Sequence, residues 1–246
     1  MIKIGILTTS RLSQFRLNTL EPILNDKNFA IKVAIIDDRP GKTLKQKFIK
    51  NLKRRRGGYM IIMAIKSMFA KNIYSIDTKE FCKINEIHVL ETRKPYSKLT
   101  IESINKFDLD LLVLVGGFGI IRSSLLEVTP IGVLSYHHGD MRKYRGMPPV
   151  FWELYNNVTV QILSAGLDSG TPIEEKLIEI KKNDTLKVLH KRVMKESENM
   201  LYNALKKVTK ESFIPKKINN YGKVYTLPNL RQWIMLNLKV FFRKLK

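Results

Sequence analysis

An α/β fold is expected from this sequence: a mostly parallel sheet flanked by helices, followed by a basic amphipathic helix at the carboxyl end. Three features point to it. The runs KIGILTT, AIKVAIIDD and LDLLVLV are rich in β-branched and aliphatic residues and read as strands buried on both faces. Helical stretches separate them, the strand–helix–strand order of parallel sheets. The last eighteen residues, NLRQWIMLNLKVFFRKLK, hold five basic residues and no acid, with Leu230, Trp233, Ile234, Leu238, Phe241 and Leu245 on one helical face.

At 246 residues and 44% hydrophobic, the chain can build one sizeable core and a small second unit. We expect a domain over residues 1–210 and a basic extension over 211–246. The single cysteine, Cys82, excludes an internal disulfide framework and a cysteine-based zinc site. The start MIKIGILTTS lacks the apolar region of a secretory signal, and no run of about 18 apolar residues occurs. A cytoplasmic protein is expected, peripheral at the inner membrane face if the tail binds lipid. The net charge of +22 would attract phosphates, acidic sugars or an anionic membrane, although lysine is spread over the whole chain. Basic residues are not interleaved with aromatic platforms, which argues against a nucleic-acid partner.

The elements follow in order. KIGILTT is the first strand and SQFRLNTLEPILND the first helix. The turn between them, LTTSRLSQFR, contains no glycine, which excludes a dinucleotide-binding fingerprint. AIKVAIIDD is the next strand, closed by the turn DDRPGK. KRRRGG is a basic turn, able to hold a phosphate or to end a solvated helix. YMIIMAIKSMF reads as a helix, and EIHVLE as a short strand in which His88 is structural. LDLLVLV is the central strand. Gly116, Gly117, Phe118 and Gly119 begin at its carboxyl end, where open parallel sheets bind ligands. A helix over Arg122–Glu127 leads to the strand GVLSYHH. Then come the helix PPVFWELYNN, the strand VTVQIL, the turn-rich loop SAGLDSGTPI with Asp168, and one closing helix over Thr185–Lys207.

The stretch LSYHHGDMRKYRG offers His137, His138 and Asp140 as metal ligands. Adjacent strand residues point to opposite faces, so both histidines would need an irregular backbone to share an ion. A structural histidine pair in a turn is the other plain reading.

Taken together, DLDLLVLVGGFGIIRSSLLEVTPIGVLSYHHGDMRKYRG, VTVQIL and GLDSGTPI resemble the folate-dependent formyltransferase family. Its members include methionyl-tRNA, glycinamide ribonucleotide and sugar N-formyltransferases. The family motif is Asn-x-His-Pro-Ser-Leu-Leu-Pro, then Tyr or Phe, Arg and Gly, with a Leu/Val-Asp-x-Gly loop later. The resemblance is clearest from Asp108 to Ile173 and extends from the amino terminus to about Lys207. It implies a Rossmann-like domain and formyl transfer from 10-formyltetrahydrofolate to an amine, without a metal. In that chemistry an oxyanion must be stabilised and an amine proton removed. By the resemblance His137 is the base and oxyanion stabiliser and Asp168 its partner. Ser135 takes the asparagine position, and His138 to Arg142 replace Pro-Ser-Leu-Leu-Pro, so Ser135 or His138 is the auxiliary donor. Losing one oxyanion donor costs about 100- to 1,000-fold. A slower enzyme, a repositioned donor and a protein that binds without turnover therefore stay open.

The same resemblance makes Gly116, Gly117, Phe118, Gly119, Ile120, Gly146, Gly166 and Leu167 the lining of the folate pocket. Arg142, Lys143, Tyr144 and Arg145 would meet an anionic acceptor or the glutamate tail of folate, or form a solvated turn. The family's tRNA-acting members add a carboxyl-terminal β-barrel, for which little chain follows Lys207. A smaller amine, an amino sugar on a nucleotide, is thus the expected acceptor. The alternative is a weakened member of the fold acting as a basic membrane-surface module. Residues 229–246 would meet an anionic membrane, pack on their own domain, or join a homodimer.

Overall fold

A computed structural model describes residues 1–41, 43–68, 74–146, 148, 150–156, 160–166, 171–215 and 220–245, with residues 65–68 and 160–166 as backbone. The chain opens with β1 (Ile2–Thr8), β2 (Arg11–Ser13), α1 (Gln14–Leu24) and β3 (Phe29–Asp37). Next are α2 (Leu44–Lys53), α3 (Gly57–Met68), β4 (Ser75–Asp77), α4 (Thr78–Ile84) and β5 (His88–Thr92). The centre holds α5 (Lys98–Asn105), β6 (Leu111–Leu114), α6 (Ser123–Leu126), β7 (Val133–His138), β8 (Tyr144–Gly146) and α7 (Phe151–Asn156). The rest comprises β9 (Val160–Gly166), β10 (Pro172–Ile178), α8 (Leu186–Ser197), α9 (Met200–Val208), β11 (Lys223–Tyr225) and α10 (Leu230–Leu245).

One seven-stranded sheet runs β10-β9-β7-β6-β1-β3-β5. Its five strands from β7 to β5 are mutually parallel; β9 and β10 join antiparallel at one edge. The Rossmann-like expectation of a mostly parallel sheet between helices holds. Alternation along β1 explains the two layers: Ile4 and Ile6 pack with Leu20, Ile31 and Leu205, whereas Leu7 packs with Val33, Leu112 and Leu125. With both faces buried, these strands read as continuous apolar runs.

Two expectations need correction. The single helix over Thr185–Lys207 is two, because α8 ends at Ser197 and α9 begins at Met200. Tyr136 explains the break: its hydroxyl donates to the Ser197 carbonyl (2.8 Å) and accepts from the Leu201 amide (3.1 Å). A side chain from the sheet thus replaces helix-internal partners. SAGLDSGTPI is also not wholly loop: β9 continues through Gly166 and β10 starts at Pro172. As an edge strand β10 exposes Glu175, Lys176 and Leu177, so its outer residues carry no buried-strand pattern.

Candidate active site

Val115 and Gly116 continue the ladder of β6, both amides donating to the Leu7 carbonyl at 2.9 and 3.2 Å. The chain then turns through three left-handed residues, Gly117 (φ 77°), Phe118 (φ 56°) and Gly119 (φ 67°). Glycine adopts this region freely, whereas Phe118 must be held there. Its amide donates to Asp37 Oδ2 (3.2 Å), its carbonyl accepts from Arg39 Nη2 (3.0 Å), and its ring is buried in the core. The hydrogen-bonded Arg39 guanidinium holds the Asp37 carboxyl below its usual range, helped by the Arg39 and Phe118 amides. Past this anchor, Ile120 is 92% exposed, and its carbonyl accepts from the Tyr96 hydroxyl (3.1 Å). A β-carbon at Gly116 would collide with the Arg16 guanidinium, which leans over the end of β6.

Ser135 pairs with Leu114 of β6 on one side and Ala165 of β9 on the other. The carboxyl ends of β6 and β7 are therefore neighbours, and the 116–120 loop leaves β6 toward Asp37 and Tyr96. The two histidines part as the pleat requires. Tyr136 and His138 stack at 5.3 Å against Phe15, and His138 Nε2 lies 3.4 Å from Ser197 Oγ. Burial, with lesser repulsion from His190 and His137, depresses His138 to about 4. The auxiliary donor expected at His138 thus faces α1 and α8, on the side of β7 away from His137.

His137 Nε2 lies 3.2 Å from the Tyr144 carbonyl. A carbonyl only accepts, so this bond holds the neutral ring's proton on Nε2 and leaves Nδ1 as acceptor. Burial lowers the His137 pKa, opposed by that backbone bond. The turn that returns Tyr144 is tight: the Asp140 carbonyl accepts from the Lys143 (2.9 Å) and Tyr144 (2.6 Å) amides. Asp140 is buried, and Oδ1 accepts from the Arg142 amide at 3.0 Å.

Beside this turn lies a carboxyl the sequence reading missed. Glu153 on α7 is 2% exposed. A β-carbon built on Gly139 would stand 2.5 Å from Glu153 Oε1, 3.5 Å from the Tyr144 carbonyl and 3.6 Å from His137 Nε2, so all three groups border one point. Burial pushes Glu153 up to about 7, and the nearby Asp140 charge adds to this. One signal could have found it: an acid between Trp152 and Leu154 in an otherwise apolar helix face.

The remaining expected residues are placed as follows. Arg142 forks to Glu175 of β10 at 2.7 and 3.2 Å, Lys143 is exposed, and Arg145 Nε donates to the Gly222 carbonyl at 2.9 Å. Tyr144 accepts from Asn156 (3.1 Å). Gly146 (φ 95°) lies against β11, where a β-carbon would strike the Tyr225 carbonyl. Gly166 ends β9 opposite Leu134, since β9 runs antiparallel to β7. Leu167 and Asp168 lie outside the described residues. Among the described residues no cluster of three His, Cys, Asp or Glu forms a metal site.

Residues 40–205 match the family model described as formyl transferase. The methionyl-tRNA formyltransferase of Clostridioides difficile is 28% identical over 155 residues, which cover 61% of this chain and 50% of that one. The Acetivibrio thermocellus enzyme of the same name is 30% identical over 135 residues, covering 53% and 43%. The chain thus spans about half the length of the curated relatives it matches. Among solved structures, the N-formyltransferase from Helicobacter canadensis superposes with a TM-score of 0.58 at 15% identity, covering 98% of this chain and 81% of that one. Glycinamide ribonucleotide transformylase 1 from Symbiobacterium toebii gives 0.51 at 18% identity, covering 89% and 95%. With two thirds of its length matched by the family model and its sheet shared with these structures, the chain belongs to the formyl transferase family.

Proposed function

We propose that this chain transfers a formyl group from 10-formyltetrahydrofolate to the amine of a small anionic acceptor, an amino sugar carried on a nucleotide. One observation carries the reading. The pairing of Leu114 with Ser135 sets the Gly116–Ile120 loop and His137 on adjacent carboxyl ends, within a chain of the formyl transferase family. The folate, when bound, supplies the activated formyl group, and the open backbone at Gly119 suits the approach of a flat ligand. The attacking amine must shed a proton, and the formyl oxygen becomes an oxyanion. His137 meets the first need, since burial favours its neutral form and Nε2–H on Tyr144 leaves Nδ1 as the base. Ser135 is the proposed oxyanion donor in the asparagine position, and Asp168 the proposed partner of His137 through the family motif. Glu153 and Asp140 are the carboxyls that the described residues bring to His137. Residues 1–210 would then form the transferase domain, with 211–246 docked on it.

The sugar acceptor draws support from the Helicobacter canadensis enzyme, described in complex with folinic acid and dTDP-3-aminofucose, over 98% of this chain. The methionyl-tRNA formyltransferase relatives make formylated tRNA the second acceptor to assay.

The test is calorimetric titration of 5-formyltetrahydrofolate into the wild type, His137→Ala and Asp168→Ala, followed by transfer assays with dTDP-amino sugars and methionyl-tRNA. Wild-type binding is expected, with transfer cut about 100-fold or more in His137→Ala. No binding by folded protein would overturn the donor assignment.

A further inference from the structure

The net charge of this protein is not spread along the chain as its lysine content first indicates. No acid occurs between Asp38 and Asp77, where eleven lysines and arginines stand, and none after Glu211, where eight stand. The remaining 25 basic residues are nearly matched by the 22 acids. The two acid-free stretches form α2, α3 and α10, and these pack together: Leu52 of α2 touches Gly57, and Leu230 of α10 closes on Gly58.

Each of these helices also carries apolar side chains that the fold does not cover. In α2 no residue is buried; Leu44 is 85% exposed, and Phe48, Ile49 and Leu52 continue the same arc, with Lys47, Lys50 and Lys53 on the other side. A capping box at Thr43 and Gln46 closes its first turn, so the helix is defined without core packing. Ile61 and Met63 of α3 are exposed as well. On α10, Trp233, Leu236 and Val240 pack inward, leaving Ile234, Leu238, Phe241 and Leu245 open, with Phe241 57% exposed. No described helix is long and apolar enough to cross a membrane.

We propose that α2, α3 and α10 form a docking surface for an anionic lipid bilayer. Exposed leucine, isoleucine and phenylalanine beside lysine and arginine match a headgroup region, where the apolar groups enter the acyl boundary and the cations meet phosphates. Charge complementarity selects this occupant. A second copy would bring cation against cation. A nucleic acid would engage the cations and leave the apolar arcs in water. The proposal does not rest on the reading of the transferase site.

The test is co-sedimentation of the full chain with vesicles of phosphatidylglycerol and, separately, of phosphatidylcholine, at low and high salt. Two variants carry paired changes at exposed positions, Phe48→Glu with Leu52→Glu, and Phe241→Glu with Phe242→Glu; their folding is checked by thermal melting. The expected result is binding to phosphatidylglycerol vesicles only, weakened by salt and about tenfold or more by each variant. Absence of binding by the folded wild type would overturn the proposal. So would binding that ignores the apolar changes, the mark of charge adsorption or of a nucleic-acid surface. A dimer in solution that both variants disrupt would assign the surface to a second copy instead.

Discussion

Glu153 is an acid that burial drives toward neutrality. Its carboxyl titrates near 4.5 in an unfolded chain and about 7 here. Between these values the folded state holds a proton that the unfolded chain has lost, so stability falls as pH rises from about 4.5 to 7. The whole effect is on the order of 3 kcal/mol. His138 has the opposite sign: depressed to about 4, it withholds stability as pH falls below the unfolded value of 6.5. Urea unfolding of Glu153→Gln at pH 5 and 8 should show a variant that gains on the wild type at pH 8. The His138 loss on acidification should then stand out. A wild-type slope kept in the variant would mean that Glu153 is not the titrating group.

Among elements, α10 shows what helical periodicity conveys and where it stops. The face with Leu230, Ile234, Leu238, Phe241 and Leu245 is visible in the sequence, and as a stripe it invites burial. The helix instead packs through the adjacent arc, with Leu236 only 1% exposed in a cluster with Phe151, Trp152 and Leu189. Leu236→Ala should therefore cost about 2–4 kcal/mol, while Leu238→Ala at 44% exposure should stay within about 0.5 kcal/mol, both read by denaturant midpoints. Equal costs would refute this orientation. Trp233 belongs to the same face by sequence yet packs inward, because a wide apolar surface lets tertiary neighbours choose the arc. The same limit explains β10, whose register with β9 comes from backbone bonds that charged outward side chains do not reveal.

Over the whole molecule, the excess of cations sets a repulsion that salt should screen. Raising salt from about 0.01 to 0.3 M should raise the melting temperature, since the Debye length shrinks from about 30 Å to less than 10 Å. A melting temperature that falls or stays level would show that the acid-free stretches are too solvated to strain the fold. The parallel core was legible because strands buried on both faces must be apolar along their length, and the glycine loop because left-handed turns select glycine. The family motif carried His137 and the formyl transferase fold as well.

By itself the sequence determined the buried strands with their intervening helices, the glycine turn after β6 and the candidate base, since each is encoded by residues close together in the chain. Only the tertiary structure decided that His138 packs against Phe15 and Ser197, that Glu153 comes beside His137 across the Gly139 turn, and which arc of α10 is buried. Burial and proximity arise between elements far apart in sequence, where desolvation and packing, rather than spacing, set what a side chain can do.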